Sequence, residues 1–275
     1  NGDGSGAVSV GSAHGETNAF GNQVIVAGGN GNDRFGQLGF GNQRDLSIPA
    51  APALSASGAI NIRAREDVIL SSIYGDVTGN GRNDSFVMVG HGGSNHDPGQ
   101  TESQRPGNGD LSGDISVASE LGSIIMHGGN DRSFVQIGHG GQAVIGDKDG
   151  NITVEGELLD MRGALLLSGS IDGSNRAGTR IGHGGYESYG GTGDGEGYSG
   201  DISVVITGSI YGDVAAENTN SSGANVVHFG HGGWSSGVVV QNGNIKDPNS
   251  HNGQGINPNL AGHTGNIHAE ATNGD

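Results

Sequence analysis

The chain has no cysteine, only six prolines and one tryptophan, and few basic residues, with 12 Lys and Arg set against 29 Asp and Glu. Each shortage removes a class of answer. Without cysteine there is neither a disulfide framework nor a thiolate zinc site. A formal charge of −17 and a pI near 4.8 set the surface against phosphate backbones and anionic bilayers, and no cluster of Lys or Arg offsets them. Nucleic acid is therefore not an expected partner. No apolar run approaches the roughly 18 residues that cross a bilayer, so membrane insertion is not expected. The first residues show neither the basic nor the apolar stretch of a secretion signal, which reads as a mature or excised segment.

What abounds is glycine, 58 of 275 residues, against a usual share of roughly 7%. Because Gly costs about 1 kcal/mol relative to Ala inside a helix, a helix bundle is excluded. Disorder is countered by the hydrophobic residues, 32% of the chain, which fall in short bursts at regular places.

The bursts repeat. GHGG occurs at 90–93, 138–141, 182–185 and 230–233, with a degenerate GFGN at 39–42. A second marker opens each unit, reading GAVSV from Gly6, GAINI from Gly58, GDISV from Gly113, GNITV from Gly150, GDISV from Gly200 and GNIHA from Gly265. These markers divide a single domain, 1–275, into units of approximately 6–57, 58–112, 113–149, 150–199, 200–264 and a partial 265–275. Within a unit the apolar residues alternate, as in Ile115 and Val117 or Ile202, Val204 and Ile206, the signature of a strand with one buried face. A second short strand follows, and a third runs into the GHGG. Immediately before its first Gly stand Leu38, Val89, Ile137, Ile181 and Phe229, all apolar. One position earlier stand Gln37, Met88, Gln136, Arg180 and His228, mostly polar, which predicts one core face and one solvent face.

Three short strands per unit, joined by corners where only Gly accepts positive φ and close stacking, predict an all-β fold. The expected architecture is a right-handed parallel β-helix, a solenoid with Gly-rich corners and protruding loops such as 96–110 and 242–262. Whether a unit makes one rung or two is open. Alternating Ile and Val count against an array of polyproline-II helices, which would repeat every third residue.

The GDISV, GNITV and IGHGG-type segments, which recur along nearly the whole chain, resemble the β-strand-repeat passenger regions of large secreted bacterial surface proteins, of the filamentous haemagglutinin and autotransporter adhesin type. That resemblance implies a right-handed β-helix, export to the extracellular medium or bacterial cell surface, and a structural role in adhesion or filament formation.

His91, His139, His183 and His231 share one rung position, with Phe40 in the first unit. They read as a structural ladder of stacked, half-buried imidazoles, each donating to a corner carbonyl. Calcium is the one cofactor for which there are candidate ligands. Asp33 lies in a GGNGNDRFG segment of the nonapeptide type found in calcium-binding β-rolls. Asp147, Asp149 and Asn151 alternate as oxygen ligands, and Asp194 and Glu196 lie in a Gly-rich loop. Tyr186, Tyr189 and Trp234, each just after a GHGG, are the candidate contacts for a cell-surface glycan. Catalysis is not expected. GHGG occurs four times where an active site needs one, no carboxylate pair of the glycosidase kind is evident, and there is no GxSxG elbow. Neither end carries a polar cap, so the ends are expected to continue in a longer chain or to self-associate head to tail.

Overall fold

The computed structural model describes residues 8–10, 15–28, 35–41, 55–72, 85–94, 110–129, 133–142, 144, 146–162, 178–185, 197–213, 226–232, 240–241, 244–245 and 263–274. Among these residues the regular structure is all β, in short strands most of which assemble into four parallel sheets of five or six strands, with Gly92–Ser94 and Gly140–Gln142 forming a further two-stranded parallel sheet. Sheet 1 takes the strand after each opening Gly: Thr17–Gly21, Ile60–Ala64, Ile115–Ser119, Ile152–Gly156, Ile202–Ile206 and Ile267–Ala271. Sheet 2 stacks Val24–Ala27, Val68–Ser71, Ser123–His127, Leu158–Arg162 and Ile210–Asp213. Sheet 3 stacks Val8–Val10, Phe35–Leu38, Phe86–Val89, Phe134–Ile137, Gly178–Ile181 and Val226–Phe229. Sheet 4 is built of two-residue strands, Ala56–Ser57, Leu111–Ser112, Lys148–Asp149, Tyr198–Ser199 and His263–Thr264.

Register follows the repeat. Ile60 pairs with Ile115, Ile115 with Ile152, and Ile152 with Ile202. Likewise Val89 pairs with Ile137, and Ile137 with Ile181. Apart from Val8–Val10, which pairs with Phe35–Leu38 of the same unit, every pairing in the four sheets joins one unit to the next, so a unit contributes one layer. Alternation then buries one side of sheets 1, 2 and 3 in a common core, to which the third layer gives Ile115, Val117, Ile124, Met126, Val135 and Ile137. Each such side chain stabilises by about 1.5–3 kcal/mol when fully buried.

Three sequence expectations change. The far side of sheet 3 is not solvated: Gln37, Met88, Gln136 and Arg180 are all buried. Phe35, Phe86, Phe134 and Met88 form a second apolar cluster there, with rings stacked 4.8 and 5.2 Å apart. The alternation missed this because the Gln Nε2 finds backbone acceptors without water. Gln136 Nε2 donates to the carbonyls of Gly182 and Gly184, at 3.1 and 3.0 Å, in the corner of the next layer. Second, Val8–Val10 lies in sheet 3, with Val10 opposite Leu38, and not in the first-strand position that its marker suggests. Thr17 stands opposite Ile60 instead, so Gly15 is the equivalent of Gly58. Third, each layer carries the additional strand of sheet 4, whose occupants Ala56, Leu111, Lys148 and Tyr198 share burial but no residue type. Segments 96–109, 242–243 and 246–262 of the expected loops lie outside the described residues, while Asn244–Ile245 pairs antiparallel with Val240–Gln241.

Candidate functional site

The GHGG corners follow sheet 3 directly. Gly138 and Gly182 have φ of 147° and 148°, and a Cβ on either would overlap the carbonyl oxygen of the corresponding Gly in the next layer. Stacking therefore forces glycine here, and the histidine between the glycines turns inward. His91, His139 and His183 are fully buried, deeper than the half-buried setting expected of them, and His231 is half-buried.

The four rings stack with centroids 4.9, 4.9 and 5.0 Å apart and planes within 7° of parallel. Each Nδ1 accepts the backbone N–H of the preceding layer: Phe40 to His91 at 3.0 Å, His91 to His139 at 3.0 Å, His139 to His183 at 2.9 Å and His183 to His231 at 3.2 Å. Each Nε2 faces the carbonyl of its own unit's opening glycine, Gly58, Gly113, Gly150 or Gly200, at 3.0, 2.8, 2.7 and 2.7 Å. A nitrogen that accepts an amide N–H carries no proton, and one that faces a carbonyl carries it. The partners thus fix the neutral Nε2–H tautomer along the column. Each ring closes its own layer through Nε2 and ties it to the preceding layer through Nδ1.

Electrostatics favour the same state. Burial holds His139 well below the usual histidine range, helped by the neighbouring His183 and His91. His183 is pushed down to about 3, chiefly by burial. His231 is lowered by burial, with the Gly200 carbonyl and Asp201 acting in the opposite sense. With both ring nitrogens bonded to backbone, the column is suited to fastening layers together. A metal ion would have to displace one of these backbone bonds.

The remaining candidates separate into two groups. Asp33, Asp194, Glu196, Tyr186, Tyr189 and Trp234 lie outside the described residues. Asp147, Asp149 and Asn151 are described, and their oxygens do not converge on a cation. Asn151 Oδ1 accepts the N–H of Asp201 at 2.9 Å, and Asp149 Oδ1 accepts the Ser199 hydroxyl at 2.8 Å. Among the described residues, no group of three or more His, Asp or Glu is placed to hold a metal ion.

The Asn151 bond belongs to a second column, which the sequence reading passed over. Asn151 N–H donates to Asp114 Oδ1 at 2.8 Å, Asp201 N–H to Asn151 Oδ1, and Asn266 N–H to Asp201 Oδ1 at 2.7 Å. Its polarity is opposite to that of the histidines, since here the side chain caps the following layer. The signal was the Asx that follows Gly in GDISV, GNITV and GNIHA. Also passed over was Lys148, fully buried, whose Nζ donates to the carbonyls of Val144 and Gly146. Burial lowers its pKa to about 7, against the pull of Asp147 and Asp110. On the outer side of sheet 1, an open concavity of about 650 Å³ is lined by Phe20, Asn61, Arg63, Ser116, Glu120 and Glu155, among others. Comparison of the chain with family models, with curated proteins and with solved structures returns no match.

Proposed function

We propose that the four sheets are the faces of one right-handed parallel β-helix and that the chain is a structural, non-enzymatic segment of a bacterial extracellular adhesin or filament. Handedness rests on the strong preference of connections between parallel strands for a right-handed path. The observation that carries the functional reading is the buried histidine column. In four successive layers both ring nitrogens are engaged with backbone, an arrangement that fastens layers and leaves none of these four imidazoles free to react.

End-to-end self-association is part of this reading. The charge of −17 would keep such fibres apart laterally. Force spectroscopy on the full chain, together with negative-stain microscopy at high concentration, tests the reading. Stepwise extension in increments of one repeat and end-to-end fibres would support it. Extension at negligible force together with a strictly monomeric population would overturn it.

A further inference from the structure

On the far side of sheet 3, in the fourth and fifth layers, a buried guanidinium has two nitrogens without partners. Arg180 is 4% exposed, and neither its Nε nor its Nη1 meets a hydrogen-bond acceptor. In register beside it stand Gln136 in the layer before and His228 in the layer after. His228 Nδ1 is buried and unpartnered, as is Gln136 Oε1. Gln136 itself shows what this position ordinarily does, donating to corner carbonyls of the next layer, and Gln37 repeats the pattern toward Gly90 and Gly92. Arg180 departs from that pattern by adding a full positive charge and leaving Nε and Nη1 without acceptors.

An unpaired buried cation costs several kcal/mol unless an anion or a set of acceptors compensates it. Burial lowers the Arg180 pKa to about 10, with Tyr198 acting to raise it. The guanidinium nonetheless remains charged at neutral pH. His228 is half-buried, so the fifth-layer end of this column is open to solvent. His228 is itself lowered by burial and by the Arg180 charge. Binding an anion between the two would relieve both effects.

We propose that Arg180 and His228 form a binding site for a small oxyanion, a carboxylate, sulfate or phosphate group, held by the guanidinium donors in the fourth layer and the imidazole in the fifth. The inference does not depend on the adhesin reading. Charge-assisted bonds from a desolvated guanidinium supply the affinity, and the chain's net charge of −17 disfavours large polyanions.

Melting curves of the full chain in phosphate, and separately in an oligomer of a uronic acid, against chloride at equal ionic strength test this. A saturable rise in melting temperature is expected, with apparent affinity reduced at least about tenfold in Arg180→Gln, because that variant keeps the donor pattern of Gln136 and removes the charge. A response to phosphate alone assigns a free ion, and a response to the uronic acid alone assigns a sugar carboxylate. Equal responses of wild type and variant would overturn the proposal. If the variant does not fold, the wild-type Arg180 Nε–H resonance decides the matter. A shift on adding phosphate or the uronic acid supports the site, whereas a resonance that ignores both overturns it.

Discussion

The Lys148 ammonium lies 5.0 Å from the centre of the Tyr198 ring, one layer away in sheet 4, with both residues fully buried. The contact sets a cation on an aromatic face within reach of the histidine column, where the lysine charge helps to hold His139 and His183 neutral. The interior therefore has its own pH response, governed by bases whose charged forms are disfavoured.

For Lys148 the pKa falls from 10.5 in the unfolded chain to about 7 in the fold. Between those values the unfolded chain binds more protons, so stability rises with pH through this window and the penalty is complete below about pH 7. Melting temperature should climb from pH 7 to 9.5 in the wild type. Lys148→Met should flatten that climb, and an unchanged slope would show that the ammonium is solvated.

At the acid end, His183 has a folded pKa of about 3 against 6.5 unfolded. The neutral ring's contribution is therefore complete above about pH 6.5 and is lost progressively as pH falls toward 3. Loss of sheet structure by circular dichroism should begin well above the carboxylate range. His183→Gln should shift that onset to lower pH, and an identical acid profile would remove the column from the cause.

Replacing His139 tests the bonds as distinct from the stacking. Ala should leave the His91 N–H and the Gly113 carbonyl unsatisfied, at about 1–3 kcal/mol for each group. Phe restores the stacked ring and neither bond, so most of the loss should persist in chemical denaturation. Full recovery by Phe would mean that stacking alone holds the corner.

Glycine in the corners differs in kind from glycine elsewhere. At Gly138 a methyl group would collide with the Gly182 carbonyl at a φ of 147°, whereas at Gly156 the nearest atoms stand 3.5 Å from such a methyl. Gly138→Ala should cost roughly 2–5 kcal/mol or abolish folding, and Gly156→Ala should be neutral or mildly stabilising. Comparable melting temperatures for the two variants would argue against layers stacked at these corners.

Much of the layering is legible in the sequence because parallel in-register stacking repeats its demands. Ile or Val returns at the buried positions of sheet 1, and Gly returns wherever a Cβ would meet the next layer's carbonyl. What was not legible has a physical reason in each case. Sheet 4 contributes two residues per layer, too few for alternation to show, and its core positions accept Ala, Leu, Lys or Tyr as local space allows. The far side of sheet 3 read as solvated because Gln is polar, yet its amide is met by corner carbonyls that only the stacked layer supplies. The first unit was misplaced because GAVSV has the alternation of any strand here, and only its pairing with Gly36–Leu38 identifies the sheet to which it belongs.

The central claim is that each histidine ties its layer to the preceding one through an unprotonated Nδ1. Nitrogen-15 NMR tests it most directly, by seeking a coupling across the hydrogen bond between the His139 backbone nitrogen and His183 Nδ1, 2.9 Å apart. The account predicts that coupling, an Nδ1 shift of the unprotonated type, an Nε2 shift of the protonated type, and a His139 amide protected from exchange. A protonated His183 Nδ1, or a His139 amide that exchanges freely with no coupling to the ring, would contradict it.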